Sequence, residues 1–132
     1  MRVEISRSET IRLGAVEFRV RHWGDPDAPL LFMFHGWMDC AATFQFVVDA
    51  FVKRWHVVAP DLRGHGGSHH NHGPSGADSE ILKGFSEDPQ ELQMRFALLR
   101  NLKHVQLQDA GHNLQHDQPE QVARLIEEFL PQ

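Results

Sequence analysis

Three short segments carry residues of the right types for chemistry on a carbonyl group. The first, His35-Gly36-Trp37, closes the apolar run Leu30–Phe34. A glycine there lets the backbone approach a ligand, and the Trp37 N–H could point at an oxyanion forming in a reaction. The plainer alternative is a tight turn with a structural histidine. The second, Asp61-Leu62-Arg63-Gly64-His65-Gly66-Gly67-Ser68, follows another apolar run. Its glycines imply a tight loop, in which Asp61 and Arg63 read as hydrogen-bonding residues that fix the loop. The third is Gly111-His112-Asn113. His112 could act as a general base if a carboxylate held its tautomer, and Asp78 and Glu80 are the carboxylates upstream.

A general base does no acyl chemistry unless it has something to deprotonate. A serine elbow needs the pattern G-x-S-x-G, with an apolar strand before it and a helix after it. Ser68 has His70 where the second glycine should stand. Ser75, in GPSGA, has small neighbours but is preceded by HHNH rather than a strand, so it is the remaining candidate for an otherwise unknown nucleophile. Cys40 stands at a helix start, where a thiolate gains stabilisation, but a small packing residue there is the expected role. His65, His69, His70 and His72 are close enough in sequence to suggest a metal. No cysteine or helix-borne carboxylate completes a ligand set, so a solvated segment and no metal are expected.

The elements that must position these residues follow from periodicity. Val16, Phe18 and Val20 alternate with Glu17, Arg19 and Arg21, which gives a half-exposed strand entered by a hairpin at Gly14. Leu30–Phe34 reads as a strand buried on both faces. Phe44, Val47, Val48, Phe51 and Val52 fall at helical spacing over residues 41–53, and His56–Ala59 forms a further strand ended by Pro60. Strand, helix and strand of these lengths make a βαβ unit with a parallel pair. Residues 64–76 contain no apolar side chain and are expected to be an exposed linker. Asp88-Pro89 starts a helix with Leu92, Phe96 and Leu99 on one face. Val105 and Leu107 suggest another short strand. Pro119 opens a last helix with Val122, Leu125, Ile126, Phe129 and Leu130 as its stripe.

The composition is that of one globular domain over residues 1–132, long enough for a single core. A net charge of -5 argues against a nucleic-acid surface. A single cysteine excludes an internal disulfide and fits a reducing compartment. The first residues mix both charge signs around no apolar core, and no apolar run reaches membrane-spanning length. A soluble, cytoplasmic protein with no membrane partner is therefore expected.

Taken together, the order HG-W-x-D, then VVAPDxRGHGxS, then AGHNLxxxxPE resembles the α/β-hydrolase superfamily, most closely its cofactor-free esterase, lactonase and C–C hydrolase branch. The resemblance covers about residues 16–68 and 76–130. It implies an α/β fold, here a reduced, mainly parallel sheet with flanking helices, and no cofactor. By the same resemblance, Trp37 N–H with Gly36 forms half an oxyanion hole, His112 is the base, and Glu80 or Asp78 is its carboxylate. Small ester-like molecules would be the substrates. The chain departs from the family between the RGHG loop and that carboxylate, where the elbow strand and its serine should lie. With those strands gone, three outcomes are open at the Leu30–Phe34 edge. The last strand could close against it, a second copy could pair there as a homodimer, or the edge could stay open. A hydrolase by descent, impaired by loss of its nucleophile, is the expected function; a non-catalytic binding or dimerisation scaffold is the alternative.

Overall fold

The computed structural model describes residues 3–70 and 88–130. The chain divides into two compact units, one formed by residues 1–70 and 107–132 and the other by residues 71–106.

The first unit is built on a four-stranded sheet in the order β1-β2-β4-β3. β1 (Arg7–Leu13) and β2 (Val16–Trp23) form an antiparallel hairpin about Gly14 and Ala15, the turn expected from the sequence. β2 pairs antiparallel with β4 (His56–Pro60), and β4 pairs parallel with β3 (Leu30–Phe32). The βαβ unit is therefore present, but the sheet is mixed: within the α/β architecture one pair is parallel and two are antiparallel.

A 3₁₀ turn (Ala41–Phe44) leads into helix α1 (Gln45–Ala50). α1 stops before the expected residue 53 because Phe51 turns to an extended conformation. Phe51 then packs against Trp55, while Val52 is left 91% exposed. The core lies between the sheet and this segment and includes Trp23, Met33, Phe44, Val47, Val48, Val57 and Ala59. Strand alternation locates β2 correctly, with Val20 buried and Glu17 and Arg19 exposed, but the end of the strand is covered on its other face as well. Trp23 shares its face with Glu17, Arg19 and Arg21, and it is completely buried. The Trp23 indole donates to Gln45 Oε1 (2.8 Å), and the Arg21 guanidinium lies 5.9 Å from the ring centroid. Gly24, next in sequence, has φ +75, and a Cβ there would stand 2.1 Å from the Trp55 carbonyl oxygen. This close approach of two main chains admits only glycine.

On the opposite face of the sheet, His56 Nε2 lies 3.1 Å from His22 Nδ1 and 3.2 Å from the Arg7 guanidinium, joining β1, β2 and β4. Burial, reinforced by His22 and then Arg7, holds the His56 pKa below the ordinary imidazole value. Glu9 Oε1 stands 2.8 Å from His22 Nε2, a contact not aligned as a hydrogen bond.

The expectation that Leu30–Phe34 is buried on both faces is not met. Met33 is buried and Leu31 packs against the core, but Leu30, Phe32 and Phe34 are 54%, 56% and 64% exposed. β3 is an outer strand, so one edge and one face of it have no described neighbour.

The short helix α3 (Leu114–Asp117) leads into α4 (Pro119–Phe129), which packs on α1. α4 buries Ala123 and Glu127, with Val122 and Ile126 partly covered, whereas Phe129 from the expected stripe is 46% exposed. The stripe is displaced because Glu127 turns inward. Its Oε1 accepts from Lys53 N–H (2.8 Å) and Trp55 Nε1–H (3.0 Å), and its Oε2 accepts from Val52 N–H (3.4 Å). The Lys53 ammonium donates in turn to the Glu127 carbonyl (3.3 Å). These bonds satisfy the backbone released where α1 ends.

In the second unit, α2 (Pro89–Ala97) begins as expected. Asp88 is its N-cap and accepts from Gln90 N–H (2.9 Å), with Pro89 in the first turn. Glu91 and Arg95 pair one turn apart. The expected strand at Val105–Leu107 does not form. Residues 102–107 carry no regular element, and Val105 is exposed.

Candidate active site

The turn after β3 is held by two buried imidazoles. His35 Nε2 accepts from Leu62 N–H (2.8 Å), which leaves its Nδ1–H to donate to the Gly36 carbonyl (2.7 Å). His65 Nε2 accepts from Met38 N–H (3.2 Å), which leaves its Nδ1–H to donate to the Arg63 carbonyl (3.1 Å). Each ring is thereby neutral and fixed in one tautomer. The ring centroids lie 5.2 Å apart. His35 is thus the structural histidine of the plainer alternative, and it ties the 36–38 turn to the loop after β4.

Between these anchors, Trp37 is 41% exposed, and among the described residues no acceptor is paired with its N–H. Space is open around Gly36, where a Cβ would meet nothing within 4 Å. Met38 has φ 58, a strained value for a residue with a side chain, and its bond to His65 holds it there. The turn therefore carries a backbone N–H with no described acceptor, on a backbone held by His35 and His65.

Asp61 organises the second segment. Its Oδ1 accepts from Ala41 N–H (2.7 Å), at the start of the 3₁₀ turn, and its Oδ2 accepts from Gly67 N–H (2.8 Å). Gly66, at φ +51, passes so close that a Cβ would stand 2.2 Å from Asp61 Oδ2. Ser68 is buried; its hydroxyl donates to the Asp61 carbonyl (2.6 Å) and accepts from Arg19 N–H (2.8 Å). The hydroxyl of Ser68 thus both donates and accepts inside the loop, and Ser68 fastens it.

Residues 64–69, expected to begin an exposed linker, instead form a bonded loop. Gly64 N–H donates to the His69 carbonyl (3.0 Å), His69 N–H donates to the Glu17 carbonyl (2.8 Å), and His65 and Ser68 are buried. The local reason is Asp61, whose carboxylate gathers the glycine-rich backbone. His70 Nε2 contacts the Gly66 carbonyl (3.1 Å), and His72 lies outside the described residues. Among the described residues, no group of three or more His, Cys, Asp or Glu could hold a metal ion.

His112 stands exposed in the turn before α3 and has no hydrogen-bond partner among the described residues. Its turn is anchored on either side. Gly111 N–H donates to Asp117 Oδ2 (2.7 Å), and Gln118 Nε2–H donates to the Gln108 carbonyl (2.6 Å). α3 is fastened to the 3₁₀ turn by Gln115, which donates to Thr43 Oγ1 (2.8 Å) and Asp39 Oδ2 (3.2 Å). The other two members of the expected constellation, Glu80 and Asp78, lie outside the described residues, as does Ser75.

One hydroxyl–imidazole contact was not foreseen from the sequence: Thr43 Oγ1 stands 2.6 Å from His116 Nε2. Thr43 is buried, and its hydroxyl is engaged by both Gln115 and His116. Four-residue spacing from His112 was the available signal, but it does not separate a docking histidine from a base. Cys40 precedes the 3₁₀ turn with an extended backbone, and its N–H donates to Asp39 Oδ1 (2.8 Å).

A braced turn follows the parallel strand β3 and a histidine turn precedes α4, on a mixed sheet with flanking helices, the layout of an α/β-hydrolase-like fold. The chain has that fold: it aligns over 96% of its length with 98% of a predicted CIB-like hydrolase from Thermoplasma acidophilum, at a TM-score of 0.62 and 11% identity. In sequence, the chain is 39% identical over 54 residues to epoxide hydrolase A of Mycobacterium tuberculosis. It is 40% identical over 42 residues to 1H-3-hydroxy-4-oxoquinoline 2,4-dioxygenase of Pseudomonas putida. These segments cover 40% and 32% of the chain, but only 17% and 16% of the two curated relatives. No family model matches the chain. Among the described residues, no helix is long and apolar enough to cross a membrane.

Proposed function

We propose that the chain is a hydrolase by descent, built for small ester or related acyl substrates, with its catalysis impaired by loss of the attacking group. In this reading, Trp37 N–H with Gly36 is half of an oxyanion hole. His112 is the base, and Glu80 or Asp78 is the carboxylate that orients it. No residue stands where the family's nucleophile would, and Ser75, with small neighbours on both sides, is the candidate to test. The chemistry calls for no cofactor or metal, and the lone thiol of Cys40 suits the cytoplasm.

The observation that carries the reading is the braced turn, in which the Trp37 N–H has no acceptor among the described residues. Two buried imidazoles are spent on holding that backbone, a costly arrangement for a mere connection, whereas a preorganised N–H is what a developing oxyanion needs. The impairment is supported by the engagement of Ser68 and Thr43 in internal hydrogen bonds. The open β3 edge favours a second reading, a scaffold whose remaining role is association.

An assay with an activated aryl ester tests the impairment. Wild type and His112→Ala are expected to hydrolyse it at rates within about twofold of each other, because a base without a nucleophile contributes little. A fall of about a hundredfold or more in His112→Ala would identify working general-base catalysis and contradict the reading.

A further inference from the structure

β3 has β4 on one side and no described strand on the other. Two bonds fix which of its residues face β4: Met33 N–H donates to the Val58 carbonyl (3.0 Å), and His56 N–H donates to the Pro29 carbonyl (2.9 Å). In a parallel ladder, alternate residues bond to the same neighbour. The N–H and C=O groups of Leu30 and Phe32 therefore point out of the sheet edge, and Phe34 continues the alternation. The side chains of these three residues are exposed, and the Phe32 and Phe34 rings stack with centroids 6.4 Å apart. The two outer strands differ sharply. β1 carries Arg7, Glu9 and Arg12, charges of the kind that discourage edge pairing, while Leu30–Phe34 contains neither charge nor proline.

We propose that this edge pairs with the same edge of a second copy of the chain, antiparallel about a two-fold axis through Phe32. A two-fold interface must be self-complementary, and the β3 edge meets that condition in both backbone and side chains. With Phe32 opposite its own symmetry mate, Leu30 stands opposite Phe34 of the other copy. Each of these residues offers an outward N–H and an outward C=O, and directly opposed residues of an antiparallel pair exchange both bonds. The outward groups are thereby satisfied, and the two sheets become continuous. The opposed side chains are apolar throughout, so no like charges meet across the axis and the aromatic rings gain a cross-strand partner. A foreign strand would need its own matching sequence, whereas a second copy supplies one in register. The inference does not depend on the ester reading.

Sedimentation equilibrium on the full chain tests the proposal. Wild type is expected to give twice the 15.1 kDa mass of one chain. Position 32 faces itself, so Phe32→Lys and Phe32→Glu should each place like charges on the axis and weaken the dimer at least about tenfold. Mixing the two variants should restore the dimer mass, since Lys then meets Glu. In wild type, amide exchange at Leu30 and Phe32 should slow as concentration rises, a readout that needs no variant to fold. Any one of four results would overturn the proposal: a monomeric wild type at its highest soluble concentration, a dimer indifferent to both substitutions, folded variants that remain apart when mixed, or exchange at Leu30 and Phe32 that ignores concentration.

Discussion

Asp61→Ala is expected to lower the unfolding free energy by about 2–4 kcal/mol, because two backbone donors lose the charged acceptor they share. The carboxylate of Asp61 is buried and joins segments twenty residues apart in sequence through bonds to Ala41 N–H (2.7 Å) and Gly67 N–H (2.8 Å). Alanine leaves both donors without an acceptor, and an unsatisfied buried donor costs about 1–3 kcal/mol. Gly66, curled closely around the carboxylate, loses the group that holds its left-handed backbone. Asn at position 61 keeps one acceptor and turns an amide NH₂ toward the other N–H, so it should fall between wild type and alanine. Denaturant unfolding of the three proteins checks the order. A loss below about 1 kcal/mol for alanine would mean that Asp61 is not what closes this loop.

Glu127→Ala should cost about 2 kcal/mol, by the same reasoning at the other end of the core. The Glu127 carboxylate accepts from Val52 N–H, Lys53 N–H and Trp55 Nε1–H, all in the segment between α1 and β4. The Lys53 ammonium bonds the Glu127 main-chain carbonyl and survives the substitution, so the loss measures the carboxylate itself. Glu127→Gln should recover part of it, because the amide oxygen can still accept from one donor. Thermal unfolding, followed by the fluorescence of Trp55 and its neighbours, should show the alanine variant melting well below wild type. Equal midpoints would contradict this role.

These two carboxylates show what local pattern reveals and what it leaves out. The hairpin at Gly14, the βαβ unit, the Asp88 cap and the Pro119 start are written in short-range chemistry, and they appear where the residues imply. Asp61 was legible as a residue that fixes its loop, but its bond to Ala41 was not, because nothing in the spacing links those positions. Glu127 sits on a helix face that hydrophobic period alone would assign to solvent; only the ending of α1 at Ala50 creates donors for it to meet. The same limit hid Trp23. Alternation marks β2 as a strand and Val20 as buried, but only the segment packed on the other face buries Trp23 as well. Val105 and Leu107 have strand-forming side chains, yet no element forms there. At the candidate site, the sequence indicated the 36–38 turn and the turn of His112. It did not reveal that His35 and His65 brace the first, or that His116 docks on Thr43.

The central claim, an α/β-hydrolase frame without an attacking atom, is tested most directly by treating the folded chain with an excess of an organophosphonate that captures activated serines, followed by intact-mass analysis. Unmodified protein is the expected result, with Ser75, Ser68 and Cys40 all unlabelled. A stoichiometric adduct on one of them that disappears in His112→Ala would show a working nucleophile and base, and would contradict the claim.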